Sequence, residues 1–221
     1  TEVTFTTNQD VRLWPISIES ARLMSSPPEI KALEHLVPHK RVEGALKLTL
    51  KIDNGATFDK LTQLDELPIY LSGHEGIASA LFELIHCQTV ATMVSRVGQT
   101  SQPLCVNISG VRYEGLEPEQ SLLPLPWNAF HGHNLIHEYF TLPSRFFFFT
   151  LTDLKKGLSK LSDSRVEIIL LLEHVPEKLI SHIDAEQFAL YCTPVVKIKK
   201  KQADRIEIDR KQTEFHLVMN R

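Results

Sequence analysis

The stretch that decides the fold is NAFHGHNLIHEYFTLPSRFFFFTLTD, residues Asn128 to Asp153. Its first half has apolar residues at the spacing of one helix face, namely Leu135, Ile136, Tyr139 and Phe140. Gly132 and Asn134 are the candidate first residues, and Pro143, which has no amide hydrogen, is expected to end the helix. We therefore predict a short helix from which the chain leaves in an extended path.

The second half of this stretch predicts a central strand. Four phenylalanines run from Phe146 to Phe149, and in a strand they alternate between the two faces of the sheet. Both faces then carry two aromatic rings and both need to be covered. At roughly 1.5–3 kcal/mol per fully buried side chain, these rings can anchor the structure around them. We expect this strand in the interior of a sheet.

The rest of the chain is predicted to be mostly strands. Alternating apolar and polar residues indicate strands at 3–6, 11–24 and 45–52 and a closing hairpin at 205–209 and 214–219. Further strands are predicted at 67–71, 89–97 and 104–113 and in the apolar run 165–172, which is expected to be buried on at least one face, and 188–196 is predicted to be extended. A helix is predicted near 73–87, begun by Ser72 and Glu75 in capping-box spacing, and shorter helices around 58–64, 154–161 and 176–183. In the predicted strand 45–52 every second residue from Lys47 on is polar. We therefore expect one face of this strand to meet solvent or a partner.

This pattern predicts an α+β, strand-rich fold of two packed β-sheet-containing subdomains with a few short helices. The segment 114–127 contains three prolines and is the expected connector. The first β-rich subdomain would be 1–127, with the helix near 73–87, and the second would be 128–221, built on the Phe146–Phe149 strand. Segments 45–73 and 165–194 have the same predicted order: a strand, a short helix and an extended segment. Either an internal duplication produced this similarity, or it arises because that order is common in proteins.

Composition excludes several classes of function. The 221 residues are 43% hydrophobic with a net charge of −3, so no overall basic field would attract nucleic acid or a membrane surface. Cys87, Cys105 and Cys192 form no C-x-x-C pair, which disfavours a disulfide framework and fits a reducing compartment. No apolar run approaches the length of about 18 residues that a membrane span needs, and no secretory signal opens the sequence.

Histidines provide the one candidate metal site. His131, His133 and His137 lie close together with Glu138, and His133 and His137 have the i, i+4 spacing of zinc ligands on a helix. A metalloprotease needs H-E-x-x-H, however, and here the acid follows the later histidine. Polar residues at a helix start are the other interpretation.

Other chemistry is not indicated. The sequence has no G-x-S-x-G, P-loop or G-x-G-x-x-G motif, and Cys105 and Cys192 lie in apolar, strand-like runs where a thiol is usually inert. We predict no catalytic residue, cofactor or metal. The basic run Lys197, Lys199, Lys200 and Lys201 is either a solvated segment or a docking patch for an acidic partner surface.

Three segments resemble the TssF family, also called VasA or ImpG, of bacterial type VI secretion baseplate subunits. FHGHNLIHEYFTLPSRFFFFTLTDL resembles that family's F-P-G-Y-x-L-x-x-E-Y-F-x-x-P-x-K-F-x-F-F segment. Residues 191–218 resemble its C-T-P-V-V-N-L-F and A-x-R-I-x-I-D segments, and VRLWP at 11–15 is a third match. The chain departs from the family at 131–133, where His-Gly-His replaces Pro-Gly-Tyr, and at 197–199, where Lys-Ile-Lys replaces Asn-Leu-Phe.

The resemblance implies a structural role in a contractile injection system of Gram-negative bacteria. Family members join TssG in baseplate wedges, with two TssF copies per wedge, and these wedges surround the spike hub and contact TssK and TssE. The implied location is the cytoplasm, at the baseplate docked on the inner membrane, without insertion into it. Since family members are considerably longer, we expect this chain to be an internal fragment. The alternative function is a metal-dependent enzyme that uses His131, His133 and His137.

Overall fold

The computed structural model describes residues 4–25, 37, 40–125 and 127–197, and within them the predicted strand-rich α+β class is confirmed. The strands are β1 Phe5–Thr7, β2 Ile16–Ser25, β3 Gly44–Ile52, β4 Leu67–Leu71, β5 Thr89–Ser95, β6 Cys105–Asn107, β7 Val111–Tyr113, β8 Phe148–Leu151, β9 Arg165–Leu172, β10 Phe188–Leu190 and β11 Val195–Lys197. The α-helices are α1 Glu75–Gln88, α2 His131–Thr141, α3 Lys155–Leu158 and α4 Glu177–Ile180. In this part of the chain no helix has the length and apolarity of a membrane span. The predicted hairpin at 205–219 lies outside the described residues.

The described strands form three antiparallel sheets. The largest has the order β2-β3-β9-β5-β6, the second has the order β10-β4-β8-β7, and the third pairs β1 with β11. The main buried cluster contains alternate residues of β3 and β9 together with residues of β4, β8 and α1. The two larger sheets and α1 therefore share one hydrophobic core.

Strands from both halves of the sequence are combined in each larger sheet. Strand β9 pairs with β3 and β5, and β8 pairs with β4 and β7. The predicted division between 1–127 and 128–221 therefore does not coincide with a division between sheets. The pairing does follow the internal correspondence, because β3 pairs with β9 and β4 pairs with β10, both antiparallel. Two strand–helix–strand units related by a two-fold axis would pair in this way.

The polar face of β3 is mostly buried, so the prediction that it meets solvent or a partner is wrong over 45–49. Thr49 is buried, and the Lys47 Nζ lies 3.3 Å from the Glu167 Oε2 on neighbouring β9. Around them is a second buried cluster with Ala45, Ala91, Met93, Ile169 and Leu171. The lysine is tolerated there because the carboxylate of Glu167, which is opposite Thr49 in the strand register, lies close enough to balance its charge.

The phenylalanine run is an interior element, as predicted, but its strand begins later than expected. Residues Pro143–Phe146 form a 3-10 turn, and only Phe148–Leu151 belong to β8. The turn forms because Pro143 suits a helix first turn, and its hydrogen bonds include Phe147 N to Ser144 O. Phe147, Phe148 and Phe149 are all buried, and β8 has a neighbouring strand on each side.

The predicted single strand 104–113 is two strands in different sheets. Strand β6 pairs with β5 in the largest sheet, whereas β7 pairs with β8 in the second. Between them the Asn107 Oδ1 accepts a hydrogen bond from Ser109 N at 3.1 Å, which turns the chain. Gly110 follows, where a Cβ atom would overlap the side chain of Thr92. This side-chain turn and the close approach end one strand and redirect the next.

Helix α1 confirms the helix predicted near 73–87. Its buried residues include Leu81, Leu84 and Ile85. The cap differs from the predicted Ser72 and Glu75 capping box, because the His74 Nδ1 accepts the hydrogen bond from Gly76 N at 3.2 Å. Ser72 instead donates to the Glu186 carbonyl oxygen and ties the start of α1 to the segment before β10.

His86, near the end of α1, gives a pH-dependent contribution to stability. Its ring stacks on Tyr113, with centroids 3.8 Å apart, and its Nε2 lies 3.3 Å from the Phe148 carbonyl oxygen. Burial lowers the pKa of His86 below its ordinary value near 6.5, and the carbonyl contact opposes this only in part. The folded protein therefore holds the neutral ring, a contribution that is present above pH 6.5 and is lost as the pH falls below it.

We expect the free energy of unfolding of the wild type to fall more between pH 7.5 and pH 5 than that of His86→Gln. Urea titrations at both pH values measure this difference, and His182→Gln, which changes an exposed imidazole, is the control. Equal losses in the wild type and His86→Gln would contradict the prediction.

Candidate interaction surface

Helix α2 lies with its apolar side facing outward. The exposed apolar side chains of α2 and the segment before it are, with their exposed fractions, Trp127 97%, Phe130 71%, Ile136 60%, Tyr139 55% and Phe140 80%. The predicted helix is present at His131–Thr141, and most of its predicted apolar face is exposed. Exposed aromatic clusters of this kind mark interaction sites on soluble proteins.

The inward side of α2 centres on Glu138, the one fully buried residue of the helix, with Asn134 and Leu135 half-buried beside it. One carboxylate oxygen, Oε1, accepts hydrogen bonds from Ser121 Oγ at 2.8 Å, Leu122 N at 2.8 Å and Leu123 N at 3.1 Å. The other oxygen forms an ion pair with the Arg145 Nη1. Glu138 therefore attaches the helix to the segment that precedes it.

Arg145 is also fully buried, and it binds backbone as well as Glu138. Its Nη2 donates to the Gly115 carbonyl oxygen at 2.9 Å and to the Gln120 carbonyl oxygen at 2.8 Å. The guanidinium also lies 4.5 Å from the centroid of the Phe146 ring. Burial lowers the pKa of Arg145, and the carboxylate with the two carbonyl dipoles stabilises its charge.

A hydrogen-bond chain continues from Arg145 to the interior strand β8. The Gln120 side chain accepts from Gly115 N at 2.7 Å and donates to the Glu114 carboxylate. That carboxylate accepts in turn from the Thr150 Oγ1 at 2.6 Å. Helix α2 is thus oriented by a polar network that begins in the core of the second sheet.

No charged side chain is exposed between residues 127 and 144. Glu138 is the only residue with a formal charge at pH 7 in this range, and it points inward to Arg145. Charged residues are depleted at the centres of protein–protein interfaces, where aromatic residues are enriched. The outward surface of α2 has that composition.

The structure does not bring the three candidate metal ligands together with an acid. His133 and His137 are exposed on α2, and His131 is half-buried at its start. Glu138 is occupied by Arg145 and by the three donors at 121–123. Among the described residues no group of three histidine, cysteine or acidic side chains has the geometry to hold a metal ion.

Two of the sequence motifs line a concavity of about 410 Å³. Residues 9–12 and Trp14 face Tyr191 and Cys192 across it. The Tyr191 hydroxyl lies 2.7 Å from the Trp14 carbonyl oxygen and 2.9 Å from the Ile16 carbonyl oxygen, which links the two motifs. Burial raises the pKa of the Cys192 thiol, the opposite of what a nucleophile needs.

The predicted lysine patch is described only at its first residue. Lys197 is exposed at the end of β11, opposite Phe5 in β1. Lys199, Lys200 and Lys201 lie outside the described residues.

Sequence reasoning missed the Glu138–Arg145 pair. The available signal was weak: a single acid in an otherwise uncharged helix, followed seven residues later by an arginine beyond a proline. Glu138 lies in α2 and Arg145 in the 3-10 turn that follows it, so the pair joins two consecutive elements.

The family model described as "Type VI secretion system, TssF" matches residues 1–221. Type VI secretion system component TssF1 of Pseudomonas aeruginosa is 30% identical over 218 residues, which are 98% of this chain and 35% of that protein. The fold is similar to a chain in the cryo-electron microscopy structure of a TssK-TssF-TssG baseplate subcomplex, with a TM-score of 0.69 and 20% identity over 94% of this chain and 36% of that one. The chain spans about a third of the length of these relatives.

Proposed function

This chain belongs to the TssF family of the type VI secretion system, and we propose that it is a structural part of the baseplate wedge, bound by other subunits and without enzymatic activity. Its partners in this proposal are TssG and TssK, which are present in the subcomplex that contains a similar fold, and beyond them TssE and the spike hub. The full-length protein would be present in two copies per wedge. It would act in the cytoplasm, at the baseplate docked on the inner membrane, and support sheath assembly and contraction.

The observation that supports this proposal is the outward apolar face of α2. An enzyme gathers polar groups in a cleft, whereas this chain presents an uncharged aromatic surface on a helix that a buried ion pair attaches to the rest of the fold. An exposed apolar surface of this kind lowers solubility unless a partner covers it. Binding to a neighbouring subunit would cover this surface and explain why it is exposed in the chain alone.

We expect Ile136→Asp and Phe140→Asp, placed in the full-length protein, to weaken its binding to TssG and TssK. A buried charge at an interface hot spot costs about 2 kcal/mol or more, which is roughly 30-fold in affinity. Co-purification after co-expression measures the loss. Ile108→Asp is the matched control, since Ile108 is 66% exposed at the turn between β6 and β7. Equal recovery of both partners with all variants would contradict the proposed role of α2.

The lysine segment is a separate proposal. Exchange of Lys197, Lys199, Lys200 and Lys201 for glutamate would reverse its charge and weaken binding to an acidic surface of TssG or TssK. The same co-purification tests this, and undiminished recovery would exclude the lysines as a docking patch.

A further inference from the structure

We infer that Glu138 and Arg145 are a positioning pair, which holds α2 with its apolar face outward to enter an uncharged apolar groove on another baseplate subunit. The inference rests on the proposed function, because it assumes that α2 is bound by a partner. It adds which residues set the orientation of the helix and what kind of surface accepts it.

The orientation of α2 is opposite to the one that apolar burial alone favours. Ile136, Tyr139 and Phe140 would each gain roughly 1.5–3 kcal/mol from full burial, so a free amphipathic helix would turn this face toward the core. A specific interaction has to oppose that rotation. In the described part of the chain, Glu138 is the buried charge on α2, and its partner Arg145 lies in the next structural element.

The pair opposes rotation because it joins several chain segments at once. Glu138 accepts hydrogen bonds from the segment 121–123, and Arg145 donates to the carbonyl oxygens of Gly115 and Gln120. Rotation of α2 would break the ion pair and leave buried donors and acceptors without partners. Breaking a buried pair in this way is strongly unfavourable, although such pairs often contribute little net stability compared with apolar substitutes.

The two charged residues also cannot exchange their positions. Glu138 meets three donors and Arg145 meets two carbonyl acceptors, and a carboxylate only accepts whereas a guanidinium only donates. An exchanged pair would place each group against neighbours of the wrong kind. Simple charge attraction therefore does not explain the arrangement.

The groove that accepts α2 is apolar and uncharged, because the outward surface between 127 and 144 offers no charged side chain to pair with. Ile136 and Phe140 are one turn apart on the helix and are the anchors that helix-in-groove recognition requires. Charged side chains in the groove would lose their water against this face and would find no opposite charge on it to compensate.

The test is the double variant Glu138→Met/Arg145→Met in the full-length protein, co-expressed with TssG and TssK. Because the charges are removed together, no unbalanced charge stays buried, and we expect the thermal midpoint to fall less than in Arg145→Met alone. We expect affinity for the partner subunits to fall about tenfold or more, since nothing then specifies the outward orientation. The exchanged variant Glu138→Arg/Arg145→Glu is expected not to restore binding.

The outcomes separate this inference from the proposed function. Wild-type binding by a folded double variant, while Phe140→Asp still abolishes binding, would overturn the positioning role alone. If the double variant does not fold, Ser121→Ala tests the positioning role instead, because it removes one donor to Glu138 at a partly exposed residue. A twofold to fivefold loss of affinity with an unchanged thermal midpoint would support the inference, and unchanged affinity would overturn it.

Two further results would show that the apolar face of α2 does not bind another baseplate subunit. Loss of self-association in Phe140→Asp, with TssG and TssK still bound, would assign the face to a second copy of the chain. A lower thermal midpoint of full-length Phe140→Asp would assign it to another segment of the same polypeptide.

Discussion

Replacement of Phe149 by alanine is expected to lower the free energy of unfolding by about 3–5 kcal/mol. Phe149 is completely buried on the interior strand β8, between Ile69 of β4 and Tyr113 of β7. Its ring meets the Phe188 ring edge-on, with centroids 6.5 Å apart. The alanine would leave a cavity between the two larger sheets, because backbone pairing on both sides of β8 prevents the strand from closing the gap. Urea or guanidinium unfolding measures the loss.

Phe140→Ala is the matched control for this prediction. It removes the same atoms from a ring that is 80% exposed on α2, so we expect a change within about 0.5 kcal/mol. A similar loss of stability in both variants would show that burial in the second sheet does not determine the effect.

Replacement of Arg145 alone by methionine is expected to cost about 3–5 kcal/mol. The Glu138 carboxylate would remain buried beside its three donors without the cation that balances it. The carbonyl oxygens of Gly115 and Gln120 would also lose a donor. Denaturant unfolding at pH 7 measures the loss, with the unfolding of both the mutant and the wild type followed by the same probe.

Arg145→Lys is the control that separates charge from geometry. Lysine keeps the positive charge but lacks the planar fork that reaches Glu138 and two carbonyl oxygens together, so we expect an intermediate loss of about 1–3 kcal/mol. A methionine variant as stable as the lysine variant would contradict the assignment of Glu138 as an ionised, buried partner.

Elements with a strong local pattern could be predicted from the sequence with nearly correct first and last residues. Strand β4 at Leu67–Leu71 and strand β9 at Arg165–Leu172 have the predicted bounds, and α1 differs by one or two residues at each end. Strand β4 and helix α1 each keep one periodicity, and β9 is a continuous apolar run. The side chains that create these patterns are among those buried in the core.

Predictions failed where a non-local contact decides the structure. The strand predicted at 104–113 is divided because Asn107 turns the chain and Gly110 has to pass close to Thr92 of β5. The predicted solvent face of β3 is buried in a cluster with Val37 and residues of β5 and β9, and Glu167, more than a hundred residues later, balances the charge of Lys47 there. Neither partner is visible in the local sequence.

The sequence by itself determined the α+β class, the central phenylalanine strand and the existence of α2, because periodicity and proline chemistry act within a few residues. Through its motifs it also indicated the TssF family. Only the tertiary structure decided which way α2 faces. Periodicity shows that a helix has an apolar side, but the buried pairing of Glu138 with Arg145, and their hydrogen bonds to segments 115–123, turn that side away from the core.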